Sequence, residues 1–431
     1  MDLNKKGWLQ KYSQFREQLA QEGALAPRGR GQDPEKMLYE LLQPTGLFYG
    51  HPVRLPKRLE GKGFGHLDQQ SRLKLILAEG FMASAELCES PEQQDALDQT
   101  WQQIWANFPA FTQELAGMAP GGAGWAPGSS PEQLSEAIIE ERLERRRKFG
   151  FWKGFSQHSI LSLDVIYFLR WLSLPERPAG LGLRQERARV HLQLLRVMAA
   201  AAHTDSEVQP QEAHLFEYFL ENMDLEPEQS RQARQWFAQG LDLEELGPLE
   251  TDSWILRKFL FELGALTVWA DQDVGPEEER FLDRLAEKLG LKADETRESL
   301  LAVEGFVLEN ADKMDFLSSA EHREAFSRRF SERVRETLVE GKQRLAQEIL
   351  ESKELVELLR KSASEDLQPD EMAKVKAQLG DLLKTIPSLA ILALPGGSLL
   401  LPLLLRFLPE HVLVPSAFRD EDPRGGEAGA T

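Results

Sequence analysis

An uncharged stretch, TIPSLAILALPGGSLLLPLLL from Thr385 to Leu405, most narrows what this chain can fold into. It lies between Lys384 and Arg406, near the end of a chain that is otherwise densely charged. As a single α-helix it would run about 31 Å, the thickness of a bilayer's hydrocarbon core. Pro387, Pro395, Gly396, Gly397 and Pro402 interrupt it, and Pro409 follows. Each internal proline removes a helical hydrogen bond, which a membrane tolerates only where protein or water takes up the freed carbonyl. Two readings stay open: a kinked membrane element, or a buried helical hairpin that turns at Pro395-Gly396-Gly397.

The chain has 431 residues, enough for two or three domains with their own cores. Its formal charge is −19, from 70 acidic against 51 basic side chains, so no direct DNA binding is expected. Cys88 is the one cysteine, which excludes an intramolecular disulfide and a multi-cysteine zinc site. It follows Leu73, Ile76, Leu77 and Phe81 and reads as a small buried hydrophobe. The N-terminal residues lack the apolar core of a signal peptide; Leu3, Leu9, Tyr12, Phe15 and Leu19 suggest a short amphipathic helix instead.

Breaks in the hydrophobic period divide the chain. Residues 1–120 form an N-terminal helical region, with a linker at 23–36 and a Gly/Pro-interrupted loop at 45–66 that either folds over the core or meets a partner. Helical patterning runs over 67–87 and 91–116. Residues 117–133 make the best internal hinge, and Ser130 before Pro131 marks a helix start. A helical domain follows over 133–320. Within it, Ile160 to Leu172 is too short and too charged to span a membrane and reads as a core helix, followed by a Pro/Gly turn at 173–184. Gly290 suits a helix C-cap. Residues 321–418 are a charged helical arm, striped by Val334, Leu338, Leu345, Ile349, Leu355 and Leu358, joined to the apolar run. Residues 419–431 form a disordered tail. Strand-like alternation is scarce, so the expected class is all-α and multi-helical.

HTDSEVQPQE at 203–212 matches WADQDVGPEE at 269–278, an offset of 66 residues. Asp205 pairs with Asp271, Glu207 with Asp273, Val208 with Val274, Pro210 with Pro276 and Glu212 with Glu278. The pattern is a helix–turn–helix in which valine enters the core while proline and acids open the next helix, where the helix dipole favours negative charge. The same carboxylates, Asp205, Glu207, Glu212, Asp271, Asp273, Glu277 and Glu278, suit a hard divalent cation such as Ca2+, Mg2+ or Mn2+. Helix capping alone explains them too, and the EF-hand ligand pattern with its central glycine is absent.

This arrangement resembles the TerB-like fold of tellurite-resistance proteins over about 185–315, carried best by Ala270, Asp271, Asp273, Val274, Pro276, Glu277 and Glu278. The resemblance implies a helical scaffold with an acidic ion site and no settled enzymatic activity. Residues 382–418 resemble the membrane-associated start of LETM1-like proteins. The matching features are Pro387, Pro402 within the apolar run with Pro395 before it, the exit Arg406-Phe407-Leu408-Pro409, and Pro415, Ser416 and Phe418. LETM1-like proteins are inner-membrane proteins linked to cation/proton exchange and to ribosome association. The long domain that follows this motif in mitochondrial members has no counterpart in these 431 residues. The two features together are similar to bacterial LETM1-related biofilm-associated proteins, which implies a role at the cell surface or in biofilms.

No Walker A loop, HExxH helix or nucleophile elbow is present, and the eight histidines are dispersed. The expectation is a non-enzymatic, membrane-associated helical scaffold on the cytoplasmic face of a bacterial inner membrane. A protein partner or a second copy, and by resemblance a ribosome, are its expected partners. Arg406 would meet lipid phosphates. The alternatives are a component of a proton-coupled cation transporter, weakened by the lack of an ionisable group between Lys384 and Arg406, and a cytoplasmic protein-interaction module.

Overall fold

The computed structural model describes residues 2–22, 33–50, 54–88, 97–115, 129–145, 158–174, 180–204, 208, 210–223, 225–247, 251–269, 276–311, 320–365 and 367–385. All regular structure among them is helical, with no strand, as the sequence pattern anticipates. The chain forms two compact units, Met1–Glu295 and Thr296–Thr431. The first holds α1 (Trp8–Gln21), α2 (Pro34–Leu42), α3 (Gln69–Cys88), α4 (Leu97–Leu115), α5 (Pro131–Arg145), α6 (Ser159–Leu172), α7 (Gly180–Ala201), α8 (Pro210–Asn222), α9 (Pro227–Gln239), α10 (Trp254–Val268) and α11 (Pro276–Lys288). Helix α12 (Ala293–Glu309) starts at its end. The second unit continues with α13 (Ala320–Glu351), α14 (Lys353–Ser364) and α15 (Pro369–Thr385).

In the first unit α6 is the axle. Its residues Ile160, Leu163, Val165, Ile166, Phe168 and Leu169 are all buried, as expected of a core helix rather than a membrane span. It packs against α3, and the contact is close because Gly80 carries no side chain: a Cβ there would lie 2.9 Å from Val165 Cγ1. Phe81, Phe108 and Phe168 interlock beside this contact, with ring centroids 4.5 to 5.8 Å apart. Edge-to-face aromatic pairs of this kind add about 0.5–1.5 kcal/mol each beyond area burial.

Local chemistry sets the helix ends. Ser130 and Gln133 form a reciprocal capping box at the start of α5, with Gln133 N donating to Ser130 Oγ and Ser130 N to Gln133 Oε1 at 3.3 and 3.1 Å. Gly290 ends α11 at φ 63°, and Leu291 N reaches back to Ala286 O at 3.0 Å. The 45–66 loop turns inward, burying Leu47, Phe48 and Tyr49.

Two expectations change. Cys88 is only half-buried, because it is the last residue of α3, and its Sγ lies 3.3 Å from Ser173 Oγ. Helix α7 begins at Gly180, inside the stretch read as a turn to 184; burial of Leu183 compensates the weak helix propensity of Gly180 and Gly182.

The core of the second unit is mainly aliphatic. Leu301 and Ala302 of α12 join Phe330, Val334, Leu338, Leu345 and Ile349 of α13, Leu355 and Leu359 of α14, and Val375, Leu379 and Leu382 of α15. Glu304 is fully buried between α12 and α13, its carboxylate accepting from Arg333 Nε at 3.1–3.2 Å.

Candidate functional site

The acidic repeat is the first place to look. The helices that follow the two turns, α8 and α11, each have 13 residues and each open on proline. Glu212 and Glu278 fall in equivalent first-turn positions, and both are buried, at 2% and 6% exposure. Glu277 points to solvent. Asp205, Glu207, Asp271 and Asp273 lie outside the described residues. Among the described residues no group of three or more His, Cys, Asp or Glu side chains is disposed to hold a metal. Pro387, Pro395, Pro402, Arg406, Phe407, Pro409, Pro415, Ser416 and Phe418 also lie outside the described residues. No helix among the described residues is long and apolar enough to cross a membrane.

A second polar centre, which sequence reasoning missed, lies where the N-terminal ends of α2 and α10 meet the C-terminal end of α6. Arg170 projects from α6. One of its Nη2 contacts is to Glu186 of α7 at 3.0 Å to both oxygens; another is to Asp252, before α10, at 3.1 Å. Its Nη1 lies 3.4 Å from Glu35 of α2. Glu35 in turn accepts from Ser253 Oγ at 2.7 Å and from Ile255 N at 3.0 Å, so a carboxylate from α2 satisfies the open end of α10. Thr251 Oγ1 donates to Glu186 at 2.6 Å. Burial alone would weaken the Arg170 cation, but Glu186 and Asp252 outweigh it and hold its pKa above the ordinary arginine value.

Beside this knot opens a cleft of about 520 Å³, walled by α2, α10 and the turn between α11 and α12. Its wall is the Trp254 indole, with Lys36 Nζ and Lys258 Nζ each 5.5 Å from the ring centroid and Tyr39 edge-on at 5.4 Å. Trp254 Nε1 donates to Glu295 at 2.7 Å, Lys292 N caps onto the same carboxylate at 3.0 Å, and Lys258 Nζ donates to the Glu295 carbonyl at 2.8 Å. Chemically this is a site of held charges: its carboxylates already accept from protein donors, so they orient helices rather than stand ready to move a proton.

Two further buried carboxylates sit deeper. Glu262 of α10 is 1% exposed and accepts from Tyr49 Oη at 3.0 Å and from Tyr39 Oη. Burial, reinforced by Glu262, pushes the Tyr49 phenol well above its ordinary pKa. Glu79 of α3, fully buried, accepts from Tyr12 Oη at 2.5 Å and Arg16 Nε at 2.8 Å and is paired with Arg58. Burial would raise the Glu79 pKa; Arg16 and Arg58 more than reverse this and hold it below the ordinary glutamate range. The sequence signal for these groups was thin. Arg16 sits between Phe15 and Glu17 in an otherwise polar stretch, and its position four residues after Tyr12 and three before Leu19, on the apolar face of α1, points inward.

Comparison with family models, with curated proteins and with solved structures finds no match for this chain.

Proposed function

We propose that this chain is a non-enzymatic helical scaffold that associates with a membrane through the uncharged segment beginning at Thr385. One observation carries the reading. The segment follows directly on α15, whose Val375, Leu379 and Leu382 are built into the core of the second unit. In sequence, a folded helical unit is therefore followed directly by the least polar part of the chain, which suits a module that tethers helical units to lipid. Arg406, Phe407 and Pro409 then leave the segment, with the arginine placed for lipid phosphates. The resemblance of 382–418 to LETM1-like proteins, and of 185–315 to TerB-like ones, is in keeping with this reading, in which the protein sits on the cytoplasmic face of a bacterial inner membrane. Partners in this reading are a protein or a second copy of the chain, and biofilm or cell-surface physiology is its setting.

The acidic turns add a weak divalent-cation site to the proposal, favoured by the burial of Glu212 and Glu278 at equivalent helix starts. Titration of the purified chain with Ca2+, Mg2+ and Mn2+ by calorimetry checks it; heat that persists unchanged in a Glu212→Gln, Glu278→Gln chain removes these residues from the site.

The membrane reading is tested by fractionating cells that carry the protein at native level, with carbonate and detergent washes, against a chain ending at Thr385. Retention of the full-length chain alone through carbonate is the expected result. Release of the full-length chain without detergent overturns the anchor and leaves the interaction-module reading.

A further inference from the structure

The 66-residue offset seen in the acidic turns extends well beyond them. Helices α8 and α11 begin at Pro210 and Pro276, and α9 and α12 begin at Pro227 and Ala293, all at the same offset. The bonds that close the ends recur with it. His191 Nδ1 donates to Met223 O at 2.8 Å, tying α7 to the end of α8; 66 residues on, Arg257 Nη1 lies 3.5 Å from Leu289 O, tying α10 to the end of α11. The caps recur as well: Glu226 N donates to Gln229 Oε1 at 3.1 Å and Lys292 N to Glu295 Oε2 at 3.0 Å. Helices α7 and α10, the first helix of each copy, pack directly on each other. Gly264 permits the approach, since a Cβ there would come within 3.0 Å of Val197 Cγ1 and 2.8 Å of Leu285 Cδ2.

Glu186, in the second turn of α7, and Asp252, two residues before α10, are also equivalent positions. Both meet the same guanidinium nitrogen of Arg170, at 3.0 and 3.1 Å, and Arg170 belongs to neither copy. We infer that Arg170 is a shared clasp, a single cation on α6 that grips the same position in each copy of a tandem duplication and so fixes the N-terminal half of α7 against the start of α10. A planar guanidinium suits this task because Nη2 holds two N–H donors in a fixed planar fork for Glu186 and Asp252 while Nη1 faces Glu35, an arrangement a lysine ammonium lacks. The two grips are unequal, since Glu186 is largely enclosed while Asp252 is 92% exposed. The hold on α7 is therefore the firmer one.

Amide hydrogen exchange on the full chain tests the clasp. In Arg170→Gln, exchange is expected to rise several-fold in the second and third turns of α7, around Glu186, and in the capped first turn of α10, more at α7. The first turn of α8, which the clasp does not touch, stays as in the parent. Faster exchange at one helix only, or at neither, overturns the inference. Far-UV circular dichroism checks that the helices persist. Should Arg170→Gln lose them, Arg170→Lys keeps the charge without the fork; a rise at both helices, of smaller size, is then the supporting result, and a rise confined to one helix overturns the clasp.

Discussion

The first unit buries charge inside an aromatic core, whereas the second builds a mainly aliphatic core and leaves most of its charge outside. Arg16, Glu79, Lys258 and Glu262 are all within 1% of complete burial in the first unit; Glu304 is the fully buried carboxylate among the described residues of the second. The difference has an energetic meaning. An aliphatic core is stabilised by area removed from water and tolerates loose specification, about 25 cal/mol for each Å². A buried ion pair contributes little net stability, yet it is costly to break, because the surviving partner is left charged in a poor solvent. The first unit is thus specified by matched partners and the second by volume.

The largest effect is expected where that matching is broken. Glu79→Ala removes the fully buried carboxylate shared by Arg16 and Arg58, leaving both only the half-buried Glu86, and should cost about 3 kcal/mol, the low end of the usual range for a broken buried pair. Tryptophan fluorescence during urea unfolding reads it cleanly, because all nine tryptophans precede Glu295 and so report the first unit alone. A loss under about 1 kcal/mol would mean that the arginines find solvent, and the contrast between the units would fail. The same residue sets a pH dependence. Because its folded pKa lies below the ordinary glutamate value, its contribution is complete above that ordinary value and is lost as pH falls through the folded pKa. The parent chain should therefore lose first-unit stability in acid more steeply than Glu79→Gln does.

Next comes a test of the volume-built core. Leu345 is fully buried on α13, and Leu345→Ala should cost about 2–5 kcal/mol, read as faster amide exchange along Val334 to Ile349. An unchanged exchange pattern would mean that neighbouring leucines close the cavity, and would sharpen the contrast by showing how loosely this core is specified.

The two units were unequally legible in the sequence. The stripe of Val334, Leu338, Leu345, Ile349 and Leu355 is readable because helical periodicity reports burial directly, and the core helix at Ile160 to Leu172 is readable for the same reason. Periodicity does not report partners. It could not say that Leu301 and Ala302 of α12 share a core with α13, nor that Arg170, read as an interruption in an apolar run, would gather Glu35, Glu186 and Asp252 from distant parts of the chain. The 66-residue repeat was visible at its turns, where proline and acids are chemically constrained. Elsewhere it was hidden, because His191 and Arg257 make equivalent bonds with unlike side chains.

The smallest expected effects belong to two serine caps, one in each unit. Ser130 Oγ accepts from Gln133 N at the exposed start of α5, inside a box that Gln133 completes. Ser352 Oγ, at the break between α13 and α14, accepts from Leu355 N at 3.4 Å and also lies 3.2 Å from Gln378 Oε1 of α15. Replacing an N-cap serine by alanine costs about 1 kcal/mol, within a range of about 0.5–2. Ser130→Ala should sit low in that range, since water reaches the freed N–H. Ser352→Ala should sit higher, since it also removes a link between helices. Equal costs, measured from amide exchange in the first turn of each helix, would show that the Ser352–Gln378 contact adds nothing. The second unit would then depend on its aliphatic core even where the start of α14 meets α15 through a polar contact.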